Sequence, residues 1–168
     1  MSNAWQRCLD DAGAVREDGR IAHFGDPRAE ARAALEGNAI FDLGHLGLIA
    51  AHGADVESFL QGQLTSDVRA LSPARSQLSA WLSPKGRVLA RMRLFRIGDV
   101  TYLELPRELV ASTLQRLRMF VLRARVTLDD ASGQLVRMGV AGDAVSRWLA
   151  QTLGALPAEA DGVTSASG

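Results

Sequence analysis

One stretch of the sequence carries charged residues in a regular alternation that could do chemistry. Between residues 87 and 96 the even positions from 88 to 94 are apolar, and the odd positions are Arg87, Leu89, Arg91, Arg93 and Phe95. Because alternate residues of a strand face opposite sides of a sheet, this pattern predicts one core face and one cationic face. Guanidinium groups about 7 Å apart can each pair with a carboxylate or phosphate. The stretch predicts an anion-binding surface, the alternative being a solvated face partly paired with the acidic N-terminal segment.

The only lysine of the chain lies just before this stretch. Lys85 follows Ser83 and Pro84 and precedes Gly86, and proline and glycine at such positions predict a hairpin turn. The ammonium group would then project from the end of the sheet near the arginines. Lys85 is a second candidate for binding an anion, although lysines in turns are ordinarily only solvated.

The formal net charge of zero conceals a strong separation of charge along the chain. Residues 69–125 hold 12 basic and 3 acidic residues, a balance of +9, whereas residues 1–68 balance at −6 and residues 126–168 at −3. A concentrated positive segment favours an anionic partner and leaves an RNA-binding module open as an alternative. Of the aromatic residues in this segment, only Phe95 falls on the arginine side of its strand, so base stacking has little support. We therefore do not expect nucleic acid as the partner.

Several common classes of site are excluded by residue type. Cys8 is the only cysteine, so no internal disulfide or multi-thiolate metal site can form, and the three histidines lack metal-ligand spacing. No phosphate-binding loop, dinucleotide glycine motif or serine-nucleophile motif is present. No apolar run approaches the roughly 18 residues that cross a bilayer, and the first residues do not resemble a signal peptide. We expect a cytoplasmic protein without a membrane segment, a metal site or an assignable catalytic residue.

The order of the predicted elements indicates an α+β fold with a largely antiparallel sheet and packed helices. We predict one domain over residues 1–154, with residues 1–38 as a candidate separate segment. The small, polar residues 155–168 are expected to form a disordered tail. The predicted strands are 14–16 and 21–24, which form a hairpin turning at Asp18-Gly19, and then 39–43, 46–51, 77–82, 87–96, 100–105, 124–128 and 134–140. The main predicted helices are 27–35, which Asp26 caps and Pro27 begins, 54–64, 106–122 and 143–153.

Four ordered blocks of sequence resemble one known family. They are residues 39–53, Phe59-Leu-Gln-Gly-Gln-Leu-Thr-Ser-Asp-Val68, residues 78–96 with Ser83-Pro-Lys-Gly-Arg87, and residues 117–129. Together they are similar to the YgfZ-type folate-binding proteins, which are relatives of the glycine-cleavage T-protein, an aminomethyltransferase. The resemblance implies the N-terminal portion of a fold that closes around a folate-sized cavity.

The resemblance implies tetrahydrofolate as the cofactor, including its polyglutamylated forms. Positions matching Leu46 and Leu78 lie near the pterin in that family, and Ala90 and Arg91 match the positions of T-protein carboxylates. Arg91, Arg93 and Lys85 would bind the glutamate tail. The resemblance also implies a role in maintaining iron-sulfur client proteins and, through them, in tRNA modification.

Two departures from the family pattern limit what it implies. T-proteins carry an Asp-Asp pair where this chain has Ala90 and Arg91, and a guanidinium does not give up its proton to act as an acid or base. Tetrahydrofolate-dependent aminomethyl transfer is therefore a disfavoured alternative. The Lys-Gly-Cys and Gly-Gln-Glu motifs of the family's second half have no counterpart before Gly168, so a fragment or a truncated relative is expected.

Overall fold

The computed structural model describes residues 3–154 and 156–165, and the predicted α+β architecture with an antiparallel sheet is confirmed. None of the helices in these ranges is long and apolar enough to cross a membrane. A short 3-10 turn covers Val68–Ala70. The elements in chain order are α1 Asn3–Asp11, β1 Val15–Glu17, β2 Arg20–His23, α2 Pro27–Glu36, β3 Ala39–Asp42, β4 Leu46–His52, α3 Val56–Gln63, β5 Gln77–Leu82, β6 Val88–Ile97, β7 Val100–Pro106, α4 Arg107–Met119, β8 Thr127–Asp130, β9 Met138–Ala141 and α5 Asp143–Leu153.

The chain divides into two compact units. Of the described residues, those within 1–45, 133–156 and 165–168 form the first unit, and those within 46–132 and 157–164 form the second. The prediction of one domain over residues 1–154, with residues 1–38 as a candidate separate segment, stays a prediction. Each unit joins segments that are far apart along the chain, so local sequence patterns do not indicate the division.

The first unit contains two small antiparallel pairs of strands. β1 and β2 form a hairpin whose turn residues, Asp18 and Gly19, both have positive φ, as the predicted turn requires. β3 pairs with β9. Helix α2 begins where predicted, because the Asp26 carboxylate accepts hydrogen bonds from the first helical N–H groups and Pro27 occupies the first turn.

The second unit is a five-stranded antiparallel sheet in the order β5-β6-β7-β4-β8. One face of this sheet carries the hydrophobic core of the unit, to which α3 and α4 contribute apolar side chains. The largest fully buried side chains in this core are Ile49, Leu60, Leu94, Leu103, Leu105, Leu117 and Val68. Burial on this scale stabilises the sheet and therefore fixes the positions of the residues on its other face.

Two bounds near the end of α4 differ from the predicted ones. The helix ends at Met119 rather than at Leu122, and β8 begins at Thr127 rather than at residue 124. Phe120 and Val121 donate their N–H groups three residues back, and Leu122 adopts a positive φ of 44°. A tightened last turn followed by a left-handed residue ends a helix, although glycine is the usual residue there.

The structure describes part of the segment 155–168, which the sequence predicts to be a disordered tail. Residues 157–164 belong to the second unit, where the Asp161 carbonyl accepts a hydrogen bond of 2.8 Å from the Ser76 N–H. The Val163 N–H donates to the Ala74 carbonyl at 2.8 Å. These bonds use the main chain, so the small, polar composition that suggested disorder does not oppose them. Residues 155 and 166–168 lie outside the described residues.

Asp55 fastens the turn after β4 to the segment before β8. Its Oδ2 accepts from the Arg125 main-chain N–H at 2.8 Å, and its Oδ1 pairs with Arg125 Nη2 at 2.9 Å. The side-chain hydrogen bond from Arg125, with the main-chain bond and the positive charge, holds the pKa of Asp55 below its ordinary value.

We expect this link to make stability depend on pH in the acid range. A carboxyl whose pKa is lower in the folded state contributes stability above its unfolded pKa of about 3.9. That contribution disappears as the pH falls through the folded pKa. Urea unfolding of the protein and of Asp55→Asn should give a stability difference at pH 6 that shrinks as the pH falls below about 4. A difference that stays constant down to pH 3 would contradict this role, and Asp99→Asn in the β6–β7 turn is the control.

Candidate functional site

Strand β6 has the two faces that its sequence predicts. Ala90, Met92 and Leu94 are buried, whereas Arg91 is exposed and Arg93 is half-buried. The arginines therefore lie on the side of the sheet opposite the hydrophobic core.

The cross-strand register brings four of the predicted site residues onto this one side. Arg93 pairs with Leu78 of β5 and with Glu104 of β7, and Leu48 of β4 pairs with Glu104 from the other side. Residues that pair across neighbouring strands face the same side of the sheet, and residues two apart along one strand also face the same side. Arg91 is two residues from Arg93, and Leu46 is two residues from Leu48. We name the surface formed by Leu46, Leu78, Arg91, Arg93 and Glu104 the arginine face.

Ala90 does not belong to the arginine face. Its side chain is 2% exposed and lies in the hydrophobic core, where β6 pairs it with Trp81. Neighbours in a strand point to opposite sides of the sheet, so Ala90 and Arg91 cannot line the same surface. The assignment of Ala90 to a folate site stays a prediction, and the arginine face does not include this residue.

Lys85 lies at the end of the arginine face rather than on it. It is exposed in the turn between β5 and β6, where Gly86 has a φ of +75°. The turn is closed by the Ser83 N–H donating to the Arg87 carbonyl at 2.8 Å. Lys85 can therefore contact only the part of a ligand that extends past the first residue of β6.

The two arginines of the face differ in their partners. Arg93 Nη1 donates to Ser76 Oγ at 2.9 Å and forms an ion pair with the Asp161 carboxylate. No hydrogen bond or ion pair joins the exposed Arg91 side chain to any other residue in the described part of the chain. Arg91 is thus available to an external anion, whereas Arg93 is already engaged.

Asp161 is the site residue that the sequence did not reveal. It lies 68 residues from Arg93 in a segment without apolar periodicity. In the sequence, Asp161 is only an acidic residue within a predicted disordered tail. An acidic residue in such a position does not indicate which basic residue it contacts.

The polar residues after α3 hold the loop that precedes β5. Gln61 Oε1 accepts from the Val68 N–H at 2.7 Å, and Thr65 Oγ1 accepts from the Ala80 N–H at 3.0 Å. Ser66 Oγ donates to Ser79 Oγ at 2.9 Å. These side chains position the strand that carries Leu78, which is a structural role.

Ser132 holds the strand that carries Leu46. Its Oγ accepts a hydrogen bond of 3.0 Å from the Leu48 N–H, and its own N–H donates to Asp130 Oδ1 at 2.9 Å. Burial acts to raise the pKa of Asp130, but the hydrogen bonds from Ser132 and the charge of Arg107 outweigh it and leave that pKa below its ordinary value. Asp130 is therefore a charged anchor at the end of β8.

Curated relatives of the chain are bacterial proteins about twice as long. The chain is 32% identical over 119 residues to the tRNA-modifying protein YgfZ of Photorhabdus laumondii, covering 70% of this chain and 36% of that protein. It is 34% identical over 140 residues to the tRNA-modifying protein YgfZ of Klebsiella pneumoniae, covering 83% of this chain and 41% of that protein. The predicted resemblance to YgfZ-type proteins is confirmed.

A solved structure and a family model agree with these matches. The glycine cleavage system aminomethyltransferase T from Bartonella henselae superimposes with a TM-score of 0.72 over 88% of this chain and 42% of that one. Its 20% sequence identity supports the fold alone. The family model described as the GCVT N-terminal domain matches residues 8–164. Since that match spans almost the whole chain, the chain belongs to the GCVT N-terminal domain family.

Proposed function

We propose that the arginine face binds tetrahydrofolate and that the chain is the folate-binding part of a YgfZ-type protein. The role of such a protein would be to maintain iron-sulfur client proteins in the cytoplasm and, through them, tRNA modification. The observation that supports the proposal is the strand register, which puts Leu46, Leu78, Arg91 and Arg93 on one side of the sheet.

The residue types on this face match the two ends of a folate. Leu78 is 54% exposed, which leaves apolar surface for a flat aromatic ring. The Arg91 side chain has no hydrogen-bond or ion-pair partner among the described residues, so its guanidinium can take a glutamate carboxylate with two parallel hydrogen bonds. Lys85, in the turn before β6, would reach only the outer glutamates of a longer tail.

Aminomethyl transfer has less support than binding. Ala90 is buried and apolar, and Arg91 stays protonated, so neither position offers a carboxylate to a reacting amine. We accordingly propose binding without assigning a catalytic residue.

RNA binding also has less support, because carboxylates from outside the basic segment offset part of its charge. Each of three of its arginines pairs with an acidic side chain that lies outside residues 69–125. These pairs are Arg93 with Asp161, Arg118 with Asp129 and Arg125 with Asp55. The positive field that would attract a phosphate backbone is therefore weaker than the sequence count of +9 indicates.

Calorimetric titration with tetrahydrofolate triglutamate tests the proposed function. Arg91→Ala should weaken binding about tenfold or more, because a hydrogen bond to a charged group is worth about 1.5–3 kcal/mol. The control is Arg116→Ala, which removes an exposed arginine from α4, a helix whose apolar side chains enter the core on the opposite face. Equal affinities of the protein and Arg91→Ala, or no binding by either, would refute the assignment.

A further inference from the structure

Asp161 makes three contacts with the second unit, two to Ser76 just before β5 and one to Arg93 of β6. Its carbonyl accepts hydrogen bonds from the Ser76 N–H at 2.8 Å and from Ser76 Oγ at 3.1 Å. Its carboxylate forms the ion pair with Arg93, and Arg93 also bonds Ser76. Through its carboxylate, Asp161 thus links residues 157–164 to the arginine face.

The backbone at Asp161 is held in an uncommon conformation. Its φ is +62°, in the left-handed region, which aspartate and asparagine tolerate better than most residues. The neighbouring attachments use the main chain, through the Val163 N–H to the Ala74 carbonyl and an isolated bridge between Arg75 and Gly162. Because no apolar side chain of this segment is fully buried, its release would expose little core.

The ion pair between Arg93 and Asp161 lies at a position on the arginine face that an anionic ligand could also reach. The side chains of Arg93 and Asp161 are each 37% exposed, so solvent and solutes reach the contact. Arg91, whose side chain has no hydrogen-bond or ion-pair partner among the described residues, is two residues away on the same face, a separation of about 7 Å. A ligand with one carboxylate can form its ion pair with Arg91 alone, but a ligand with several carboxylates would also contact Arg93.

We propose that residues 157–164 are a displaceable strap in which the Asp161 carboxylate occupies the guanidinium of Arg93 until a ligand with several carboxylates replaces it. This proposal rests on the proposed function, because it concerns access to the same face. The strap makes occupancy of Arg93 depend on the number of carboxylates in the ligand. It would favour polyglutamylated folates over the monoglutamate.

Removing the charge of Asp161 should strengthen binding of the longer ligand. Asp161→Asn keeps a side chain that tolerates positive φ and abolishes the competing carboxylate. We expect its affinity for tetrahydrofolate triglutamate to rise about two- to fivefold, the range that an ion pair between partly exposed groups supports. Its affinity for the monoglutamate should be unchanged. Glu159→Gln removes a second carboxylate of the strap and is the matched control, expected to bind as the unaltered protein does.

Hydrogen exchange at the Val163 amide provides an independent measurement. Tetrahydrofolate triglutamate should raise the exchange rate of this amide, since displacement of the strap breaks its hydrogen bond to Ala74. Unchanged or slower exchange in the presence of bound triglutamate would overturn the strap proposal, even if Arg91→Ala had confirmed folate binding.

A probe without a pterin separates the two proposals. A γ-linked triglutamate peptide at millimolar concentration should also raise Val163 exchange, whether or not tetrahydrofolate binds. If tetrahydrofolate fails to bind and the peptide still acts, the proposed function fails and the strap proposal stands. If the peptide has no effect and Asp161→Asn binds as the unaltered protein does, the strap proposal fails.

Discussion

Replacing Ala90 by aspartate is expected to destabilise the second unit by about 3–5 kcal/mol, because it places an unpaired carboxylate in a hydrophobic core. Ala90 is 2% exposed, and Met92 and Trp81 belong to the same buried cluster. A loss of this size is a large part of the stability of an ordinary domain. Urea unfolding followed by circular dichroism should therefore show a much lower midpoint.

The neighbouring position supplies the matched control. Arg91→Asp places the same carboxylate one residue further along β6, on the exposed arginine face, where water solvates it. We expect its unfolding midpoint to stay close to that of the unaltered protein. Burial raises the pKa of a carboxyl, so the defect of Ala90→Asp should become smaller as the pH falls and the group takes up a proton. Similar midpoints for the two variants would contradict the placement of Ala90 in the core.

This pair of variants bears on how the family pattern transfers to this chain. The resemblance sets Ala90 and Arg91 against two adjacent T-protein carboxylates. In the strand found here, adjacent residues face opposite sides, so only the position of Arg91 can present a group to a ligand on the arginine face. Of the two matched positions, only position 91 could supply an acid or a base on this face, and this chain has a permanently charged guanidinium there.

Local patterns predicted the individual elements well. The alternation in β6 gave both its buried face and its charged face, and Asp26 followed by Pro27 gave the start of α2. The turn at Asp18 and Gly19 gave the first hairpin. Each of these features depends on residues within one or two turns of chain, so their physical causes can be read from a short window of sequence.

The features that the sequence did not reveal all depend on contacts between distant residues. β3 pairs with β9 across almost a hundred residues, and Asp161 meets Arg93 across 68. Neither partner has a property that selects the other among many similar residues. Four of the predicted site residues share one face, whereas Ala90 was assigned from a match along the sequence, which carries no information about side-chain direction.

Gly53→Ala is expected to be the second severe substitution, costing about 2–5 kcal/mol. Gly53 follows β4 with a φ of +118°, a conformation that residues with a Cβ rarely adopt. An added Cβ would lie 2.1 Å from the Arg125 carbonyl oxygen and 2.9 Å from its carbonyl carbon. These are backbone atoms, so they cannot move aside as the end of a flexible side chain would.

The clash would also weaken the link between Asp55 and Arg125. Relieving it requires the segment before β8 to move away from the turn after β4, and the Arg125 N–H in that segment donates to Asp55. The acid sensitivity described above should therefore be smaller in Gly53→Ala than in the unaltered protein. Gly62→Ala is the control, because it lies within α3 and, apart from its chain neighbours and the backbone of its own helix, no heavy atom lies within 4 Å of the added Cβ. A helical alanine at that position should preserve or raise stability by about 0.5–1 kcal/mol. If Gly53→Ala unfolded at the same urea concentration as Gly62→Ala, the close approach of the Arg125 carbonyl to Gly53 would be refuted.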